Sequence, residues 1–434
     1  MSLYPAPGAR FPLRGPIARG TIRTSFVLGL RLIVQAGTLL LVARLLGPDQ
    51  FGGFAGVAAL AVMLGTLATF GTHLVLLGEV SKEPARRTQV LPYAVPTTLL
   101  CGAALLAIYL VACLSVLHAS GVSIAVLLTI GITETLLQPL FALPAAEQLA
   151  LGRIARSQLL QTLPLALRLA AAAGVFALQL RDPLAAYGYG YLIASVIALG
   201  VATVTMPAPW PGVRTWRLPH RAELREAFSY AVINITAASP AELDKTLAAW
   251  LLPLPAAGLY SAAARVIGAS SLPVSAMTAS ALPRLFRESA RDSSPHLNRL
   301  MFGTAFAYGA ILAAALWLIA PIFDWIFGNK YQGIDSMIRW LCIAIPGLCV
   351  RRVAGSILMA SGHAWSRVGF EATGLAALVL ASIGAVAAFG EIGMPIALAT
   401  SEWLMALLGA LLVALDAIQP RLLRSKSQRT GEHR

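Results

Sequence analysis

The chain has 434 residues, of which 58% are hydrophobic and 12% are charged, with a net charge of +14 and a mean hydropathy of +0.75. Soluble proteins contain roughly a quarter charged residues, so this composition excludes a set of ordinary soluble domains. The positive charge is scattered over short segments between apolar runs, which indicates membrane topology and does not favour nucleic-acid binding. The sequence therefore predicts a protein that crosses a membrane many times.

Apolar runs of about 20 residues follow one another almost end to end, and they predict an all-α protein with twelve transmembrane helices. The first run follows an Arg-rich N-terminus, but it is long for a signal peptide and another run follows at once. We therefore expect an uncleaved first helix. The predicted spans are residues 24–43, 54–77, 91–117, 122–144, 158–180, 184–206, 226–253, 258–283, 301–327, 335–361, 368–389 and 392–418.

The distribution of Lys and Arg predicts the orientation, because cytoplasmic loops carry an excess of both. They are concentrated in the N-terminus, in every second loop and in the C-terminal tail, whereas the opposite loops contain only Arg44, Arg181 and Lys330. Both termini are therefore predicted to be cytoplasmic. The opposite loops are very short, and an acidic DxD-type metal site is lacking. Both features argue against a membrane glycosyltransferase or polymerase, so we predict that the chain is not an enzyme.

The cysteines all lie inside apolar runs, without the CxxC spacing or the nearby histidine pair of a metal site. We therefore expect small buried side chains, and neither a metal centre nor a disulfide framework. The chain also lacks a P-loop or another ATP-binding motif, so no cofactor is predicted. The four cysteines are Cys101, Cys113, Cys342 and Cys349.

The segment between the first two spans recurs in the second half of the chain. Residues 43–55 read ARLLGPDQFGGFA, and residues 249–261 read AWLLPLPAAGLYS. After a slip of one residue, LGEVSKE at 77–83 also matches LPRLFRE at 282–288. Between residues 43–55 and 249–261, four positions match without a gap, namely Leu45, Leu46, Gly52 and Phe54 with Leu251, Leu252, Gly258 and Tyr260.

This repeat predicts two six-helix units that insert in the same orientation and are related by an axis along the membrane normal, a transporter's architecture. We predict an N-terminal lobe over residues 1–206 and a Pro- and Arg-rich cytoplasmic linker over 207–225. A C-terminal lobe follows over 226–419, and a basic cytoplasmic tail over 420–434.

The first copy of the repeat resembles the ARLLGPxxFGxF signature of the polysaccharide flippase family (Wzx-type), in the MATE-like exporter superfamily. In the second half, ELDK at 242–245 and AGLYSAAARV at 257–266 are similar to its D-K/R-x-x-L…GLYxxAxR pattern, and LPRL follows at 282–285. The turn at 253–255 departs from the pattern, because it reads PLP where the family has Leu-Gly. The resemblance extends over essentially the whole chain through its twelve-span layout.

The resemblance implies a MATE-like fold and a flippase of the bacterial inner membrane. Such a protein moves an undecaprenyl-pyrophosphate-linked oligosaccharide from the cytoplasmic to the periplasmic leaflet, for exopolysaccharide, O-antigen or capsule synthesis. The implied partners are the lipid-linked glycan, the bilayer and a polysaccharide polymerase or other export components. The alternative within the same fold is a cation-coupled antiporter of drugs or small molecules, whose cavity should be acidic or aromatic.

Several cations fall within the predicted spans, where exposure to lipid would cost about 3 kcal/mol each, so they should line protein or water. Arginine suits a diphosphate, because its planar fork donates two hydrogen bonds at once. Arg351 and Arg352 point about 100° apart on a helix, so at most one should face a central cavity squarely. The candidate substrate-binding residues of a cationic central cavity are Arg31, Gln35, Arg168, Lys245, Arg265, Arg351 and Arg352.

For acidic residues in the spans, a structural salt bridge or a neutral buried carboxyl is the favoured role, and ion or proton coupling is the alternative for each. The candidates for coupling are Glu134, Glu371 and Glu402. Arg168 on the next helix is the expected salt-bridge partner of Glu134, and Asp49 that of Arg44. For Lys245, the neighbouring acids at 242 and 244 offer a structural role instead.

Three prolines, Pro164, Pro240 and Pro346, interrupt predicted spans near their middle. A missing backbone donor permits either a bend that moves or a static kink.

Overall fold

The computed structural model describes residues 16–117, 121–269, 271–275, 277–278 and 295–431, without the side chains of residues 16–28, 295 and 416–431. Over this part of the chain the regular structure is entirely helical. The predicted LPRL segment at 282–285 lies outside the described residues, and so do the side chains of the basic tail.

The first lobe begins with α1 (Pro16–Ala68), which contains the first predicted span and most of the second. The chain turns at Gly47, whose φ of 71° lies in the left-handed region that glycine adopts easily because it has no Cβ. Pro48 then starts the next helical segment, as its fixed φ allows. The other helices of this lobe are α2 (Thr72–Lys82), α3 (Arg87–Ser115), α4 (Ile124–Ile132), α5 (Gln138–Ala150), α6 (Ile154–Leu178) and α7 (Pro183–Val204).

In the second lobe, two of the three predicted prolines mark real breaks. Pro240 lies in a 3-10 turn at Ser239–Ala241 that separates two helices, and Pro346 follows a bend of 47° between two others. Pro164, by contrast, lies inside α6, which continues past it. The helices are α8 (Arg221–Ala238), α9 (Leu243–Leu251), α10 (Leu254–Ala269), α11 (Pro295–Ile319), α12 (Pro321–Phe327), α13 (Ile334–Cys342), α14 (Ile345–Ala360), α15 (Ala364–Phe389) and α16 (Gly393–Gly431).

The described helices agree with the twelve-helix layout. Seven segments are long and apolar enough to cross a membrane, or eight if the bent pair α13–α14 counts as one span. Two of the seven, residues 29–68 and 364–415, contain a corner and hold two predicted spans each. The broken helix α8–α9 and the helix α10 correspond to the remaining two predicted spans. The last helix continues to Gly431, so the predicted tail begins within it.

The two lobes meet where the repeated turns lie, and we call this the corner end of the molecule. The Arg44 guanidinium donates to the Ile326 carbonyl at 2.9 Å, so the expected pairing of Arg44 with Asp49 is wrong. The sequence offered no sign of this contact, because its acceptor is a backbone carbonyl 282 residues away. The Tyr331 hydroxyl donates to the Ala43 carbonyl at 3.0 Å. Both bonds join the first helix to the second lobe.

At the opposite end, which we call the linker end, the segment between the lobes packs on the first lobe. Trp210 and Trp216 lie against a buried cluster that includes Tyr93. The Arg87 guanidinium donates to the carbonyls of Ala208 and Pro209 at 2.7 and 3.0 Å. The linker is therefore fixed to the first lobe by apolar contacts and hydrogen bonds.

An ion pair ends the linker: the Arg217 guanidinium stacks on the Tyr93 ring and lies 2.6 Å from the Glu223 carboxylate at the start of α8. The hydrogen bond from Arg217 holds the pKa of Glu223 below its ordinary value. A lowered carboxyl pKa stabilises the folded protein above the unfolded pKa, and this contribution is lost as the pH falls through the folded pKa.

We expect Glu223→Gln to lower stability at pH 7 by roughly 0.5–1 kcal/mol, because the pair is partly exposed to solvent. The difference from the native protein should shrink to nothing as the pH falls and Glu223 becomes protonated. Thermal unfolding of the detergent-solubilised protein at a series of pH values measures this, with Glu226→Gln as the control, since no described ion pair includes Glu226. A difference that stays constant with pH would contradict the assignment.

Candidate functional site

A cavity of about 720 Å³ lies between the two lobes. Its apolar wall includes Phe51 and Phe54 of the first repeated turn, and Phe323 and Phe327 of α12. These rings lie on the side of the corner end, where the lobes are in contact. The cavity is thus bounded at the corner end by aromatic side chains and by the hydrogen bonds of Arg44 and Tyr331.

Within the described part of the chain, nine charged residues line this cavity, and five of them are cations. Five of the seven predicted binding residues are among them, and they come from four helices, α6 of the first lobe and α9, α10 and α14 of the second. Both Arg351 and Arg352 line the cavity, although they are adjacent on α14. The charged lining residues are Glu134, Arg168, Glu242, Asp244, Lys245, Arg265, Arg351, Arg352 and Glu402, and the predicted Gln35 also lines the cavity.

In the first lobe, Arg168 is held by a buried polar network. Its guanidinium lies 3.0 Å from the Glu134 carboxylate, as the sequence predicts, and donates to the Tyr191 hydroxyl at 2.8 Å and to Ser195 at 3.1 Å. The Tyr191 hydroxyl in turn donates to Glu134 at 2.5 Å. Glu134 lies on a π-helical turn at Thr133–Leu137, a local widening of the helix that is frequent at functional sites.

In the second lobe, Arg351 and Glu402 form a two-pronged ion pair. The Arg351 Nε and Nη2 atoms lie 2.7 and 3.2 Å from the two carboxylate oxygens of Glu402. The two residues are 4% and 3% exposed, so water screens the pair little. Each partner therefore neutralises the other inside the second lobe.

The family-like ELDK and GLY segments contact one another directly. The Tyr260 hydroxyl donates to the Asp244 carboxylate at 3.0 Å, and the Lys245 ammonium lies 3.2 Å from the same carboxylate and 3.8 Å from Glu242. Lys245 also donates to the Ala241 carbonyl, in the proline-containing break before α9. Lys245 therefore has the structural role that the neighbouring acids offered, because it pairs with both of them, although its side chain still lines the cavity.

Two cavity cations, Arg265 and Arg352, have no acid within salt-bridge distance among the described residues. The Arg265 guanidinium lies 5.8 Å from the centre of the Phe51 ring, across the lobe boundary. Arg352 donates to the Ser275 hydroxyl at 3.0 Å, and its Nε has no hydrogen-bond partner among the described residues. These two guanidiniums are available to an anionic ligand in the cavity.

Two predicted residues lie away from the central cavity. Arg31 is predicted to line the central cavity, but the structure places it in a second cavity, where it donates to Gln161 at 3.2 Å. Glu371 is bonded to Arg367 one turn earlier on α15 at 3.1 Å and does not line the cavity. In both cases the packing of the neighbouring helices decides which cavity or partner the side chain meets, and helical spacing alone does not determine this.

Sequence reasoning missed the aromatic and hydroxyl groups around the cations, chiefly Tyr187, Tyr191 and Ser195. The three residues follow one another at intervals of four on α7, so they share one helix face. That spacing of polar groups within an apolar span is a signal that identifies a buried face opposite a charged helix.

Ion pairing at the cavity follows one rule among the described residues: each pair joins two residues of the same lobe. The contacts between lobes include apolar packing in a shared cluster, hydrogen bonds to backbone carbonyls and aromatic contacts, such as Phe70 with Phe228 at 5.9 Å. The lobes can therefore separate without breaking a buried ion pair, which would be costly.

Two helical lobes around a central polar cavity are the arrangement of a membrane transporter. The chain belongs to the family described as "Polysaccharide biosynthesis protein", which matches residues 17–289. This confirms the family resemblance of the repeated motifs. No curated protein sequence matches the chain.

Solved structures share the fold at low sequence identity. An inward-facing multidrug resistance MATE family transporter of the MOP superfamily gives a TM-score of 0.72 at 14% identity, over 91% of this chain and 98% of that chain. The outward-facing form of such a transporter gives a TM-score of 0.63 at 15% identity, over 93% of this chain and 97% of that chain. The lipid II flippase MurJ, in an inward closed conformation, gives a TM-score of 0.70 at 13% identity, over 91% of this chain and 87% of that chain.

These likenesses confirm the predicted MATE-like fold. The neighbours are transporters and a flippase, in agreement with the prediction that the chain is not an enzyme.

Proposed function

We propose that the protein is a flippase that moves an undecaprenyl-pyrophosphate-linked oligosaccharide from the cytoplasmic to the periplasmic leaflet of the bacterial inner membrane. In this proposal both termini and the linker end are cytoplasmic, and the corner end is periplasmic, in line with the Lys and Arg distribution. The product would serve the assembly of an exopolysaccharide, an O-antigen or a capsule.

The observation that carries the proposal is the pair of unneutralised guanidiniums in the central cavity. Arg265 and Arg352 both come from the second lobe and line the cavity without a described carboxylate partner. A diphosphate offers two charged groups that such guanidiniums bind in forked geometry. The remaining cavity cations already have acidic partners, so they shape the cavity and contribute less net charge.

Alternating access then requires that the two lobes rock about the substrate. The contacts at the corner end close the cavity on the periplasmic side, and their loss would open it there. Because Glu134 and Glu402 are each bonded to an arginine of their own lobe, we assign them a role in holding Arg168 and Arg351. Glu371 lies outside the cavity, and its Oε2 has no partner among the described residues, so it is the remaining candidate for ion coupling.

The experiment uses a host that makes a defined surface glycan. Deleting the gene should leave lipid-linked repeat units on the cytoplasmic face, and the native gene should restore export. Arg265→Gln/Arg352→Gln should reduce export about tenfold or more, whereas Arg265→Lys/Arg352→Lys should keep part of it, since the charge remains. Arg339→Gln is the matched control, because Arg339 pairs with Asp335 and does not line the cavity.

Normal export after deletion would refute the flippase proposal. If deletion instead sensitises the cells to ethidium while export stays normal, the protein is an antiporter of organic cations. Normal export by the double glutamine variant would overturn the role of the two arginines and leave the transport activity itself intact.

A further inference from the structure

A second cavity of about 400 Å³ lies within the first lobe, between α1, α2, α5 and α6. Apolar side chains form most of its wall, among them Leu77 in the middle of α2 and Leu149 near the linker-end terminus of α5. Four polar side chains also line it, namely Arg31, His73, Gln138 and Gln161.

The charge of this cavity is positive. Of the described lining residues, Arg31 is the only charged one apart from the titratable His73, and no described carboxylate forms an ion pair with Arg31. The single described hydrogen bond of Arg31 goes to the neutral amide of Gln161. A guanidinium within a transmembrane lobe is normally paired or faces a water-filled cavity that leads to a function.

The neutral groups around Arg31 are potential hydrogen-bond donors. His73 Nδ1 lies 2.7 Å from the Thr69 hydroxyl, and when that hydroxyl donates, Nε2 carries the ring hydrogen and has no described partner. The Gln138 amide also has no side-chain partner among the described residues, and it offers two N–H groups. Arginine, imidazole and amide donors around one space are the groups that bind phosphate oxygens.

The second cavity adjoins the central one, because Leu165 lines both of them. On α1, Arg31 faces the second cavity, and Gln35, one turn further on, faces the central cavity. On α6, Gln161 faces the second cavity and Arg168 faces the central cavity. Arg31 of α1 and Arg168 of α6 thus place one cation in each of two adjoining cavities.

We propose that the second cavity is a binding site for a phosphate or diphosphate group, separate from the central cavity. The site binds the anion through Arg31, with Gln138, Gln161 and His73 as neutral donors. Its ligand is either the headgroup of a polyprenyl diphosphate lipid or a free inorganic diphosphate. The proposal does not depend on what the central cavity binds.

The test measures binding of inorganic pyrophosphate to the purified full-length protein in detergent by calorimetry, at a fixed chloride concentration. Arg265→Gln/Arg352→Gln serves as the background, so that unpaired central arginines do not contribute. We expect this background to retain pyrophosphate binding, and addition of Arg31→Gln to weaken it about tenfold or more. Arg31→Lys should weaken it less, because the charge is kept.

A second variant leaves the cation in place and fills the space. Ala142 lines the second cavity, so Ala142→Leu should also abolish binding, whereas Ala173→Leu at an exposed position of α6 outside both cavities should not. Unchanged binding by both Arg31→Gln and Ala142→Leu would overturn the proposal, and so would equal competition by chloride at the pyrophosphate concentration. Geranylgeranyl diphosphate, tested in parallel, identifies the source: tighter binding than pyrophosphate supports a lipid headgroup, and equal binding supports a free anion.

Discussion

Replacing Gly258 with valine should abolish export while leaving the helices of both lobes folded. A Cβ atom at this position would lie 2.0 Å from the Pro48 carbonyl oxygen, and one at Gly52 would lie 2.2 Å from the Leu254 carbonyl oxygen. These are backbone atoms that cannot rotate away. The two glycines are matching positions of the internal repeat, so the repeated turns pack backbone to backbone across the lobe boundary.

The lobes of Gly258→Val or Gly52→Val should therefore fail to close at the corner end. Spin labels at Arg181 and Glu391, in exposed loops of the two lobes, should report a longer distance by double electron–electron resonance than in the native protein. Labelling requires replacement of the four native cysteines by alanine. Export is measured in the same host as above, and we expect it to fall about tenfold or more. Alternating access needs both states of the cavity, and these variants cannot reach the state that is closed at the corner end.

Gly200→Val is the matched control, because a Cβ at Gly200 meets nothing within 4 Å. It imposes the same β-branched residue on a helix without touching the other lobe. Native export by both Gly52→Val and Gly258→Val would show that close approach of the turns is not needed for transport. A loss of export with an unchanged label distance would show that the substitutions act inside one lobe.

The second large effect is expected at the Arg351–Glu402 pair. Glu402→Ala should lower the free energy of unfolding by about 3–5 kcal/mol, because it leaves a buried guanidinium without its carboxylate. The double variant Arg351→Met/Glu402→Leu removes both charges and fills the volume with apolar groups. We expect the free energy of unfolding of this double variant to equal or exceed that of the native protein.

Thermal unfolding in a mild detergent measures these differences. Asp335→Asn is the control, because its partner Arg339 lies in the same lobe at 3.6 Å but is 38% exposed, and an exposed pair contributes roughly 1 kcal/mol or less. If Glu402→Ala and the double variant are equally unstable, the loss comes from packing and not from the unpaired charge. The same scheme applied to Glu134 and Arg168 would test the pair in the first lobe.

The sequence determined the class of the molecule, since apolar runs of membrane-spanning length allow little besides helices. It also located the repeat, because a turn between two helices needs particular residues, such as Gly47 and Pro48. One buried contact, Glu134 with Arg168, was predictable, since the two residues lie on successive helices within the membrane and are of opposite charge.

Only the tertiary structure decided which cations remain unpaired. Arg31 and Arg168 look alike in the sequence, but helix rotation directs one to a second cavity and the other to a buried network. Arg351 pairs with an acid 51 residues away on α16, while the adjacent Arg352 has no acidic partner among the described residues and donates to the Ser275 hydroxyl. Helical spacing fixes the angles of side chains around one helix, whereas the neighbour that each side chain meets depends on how whole helices pack.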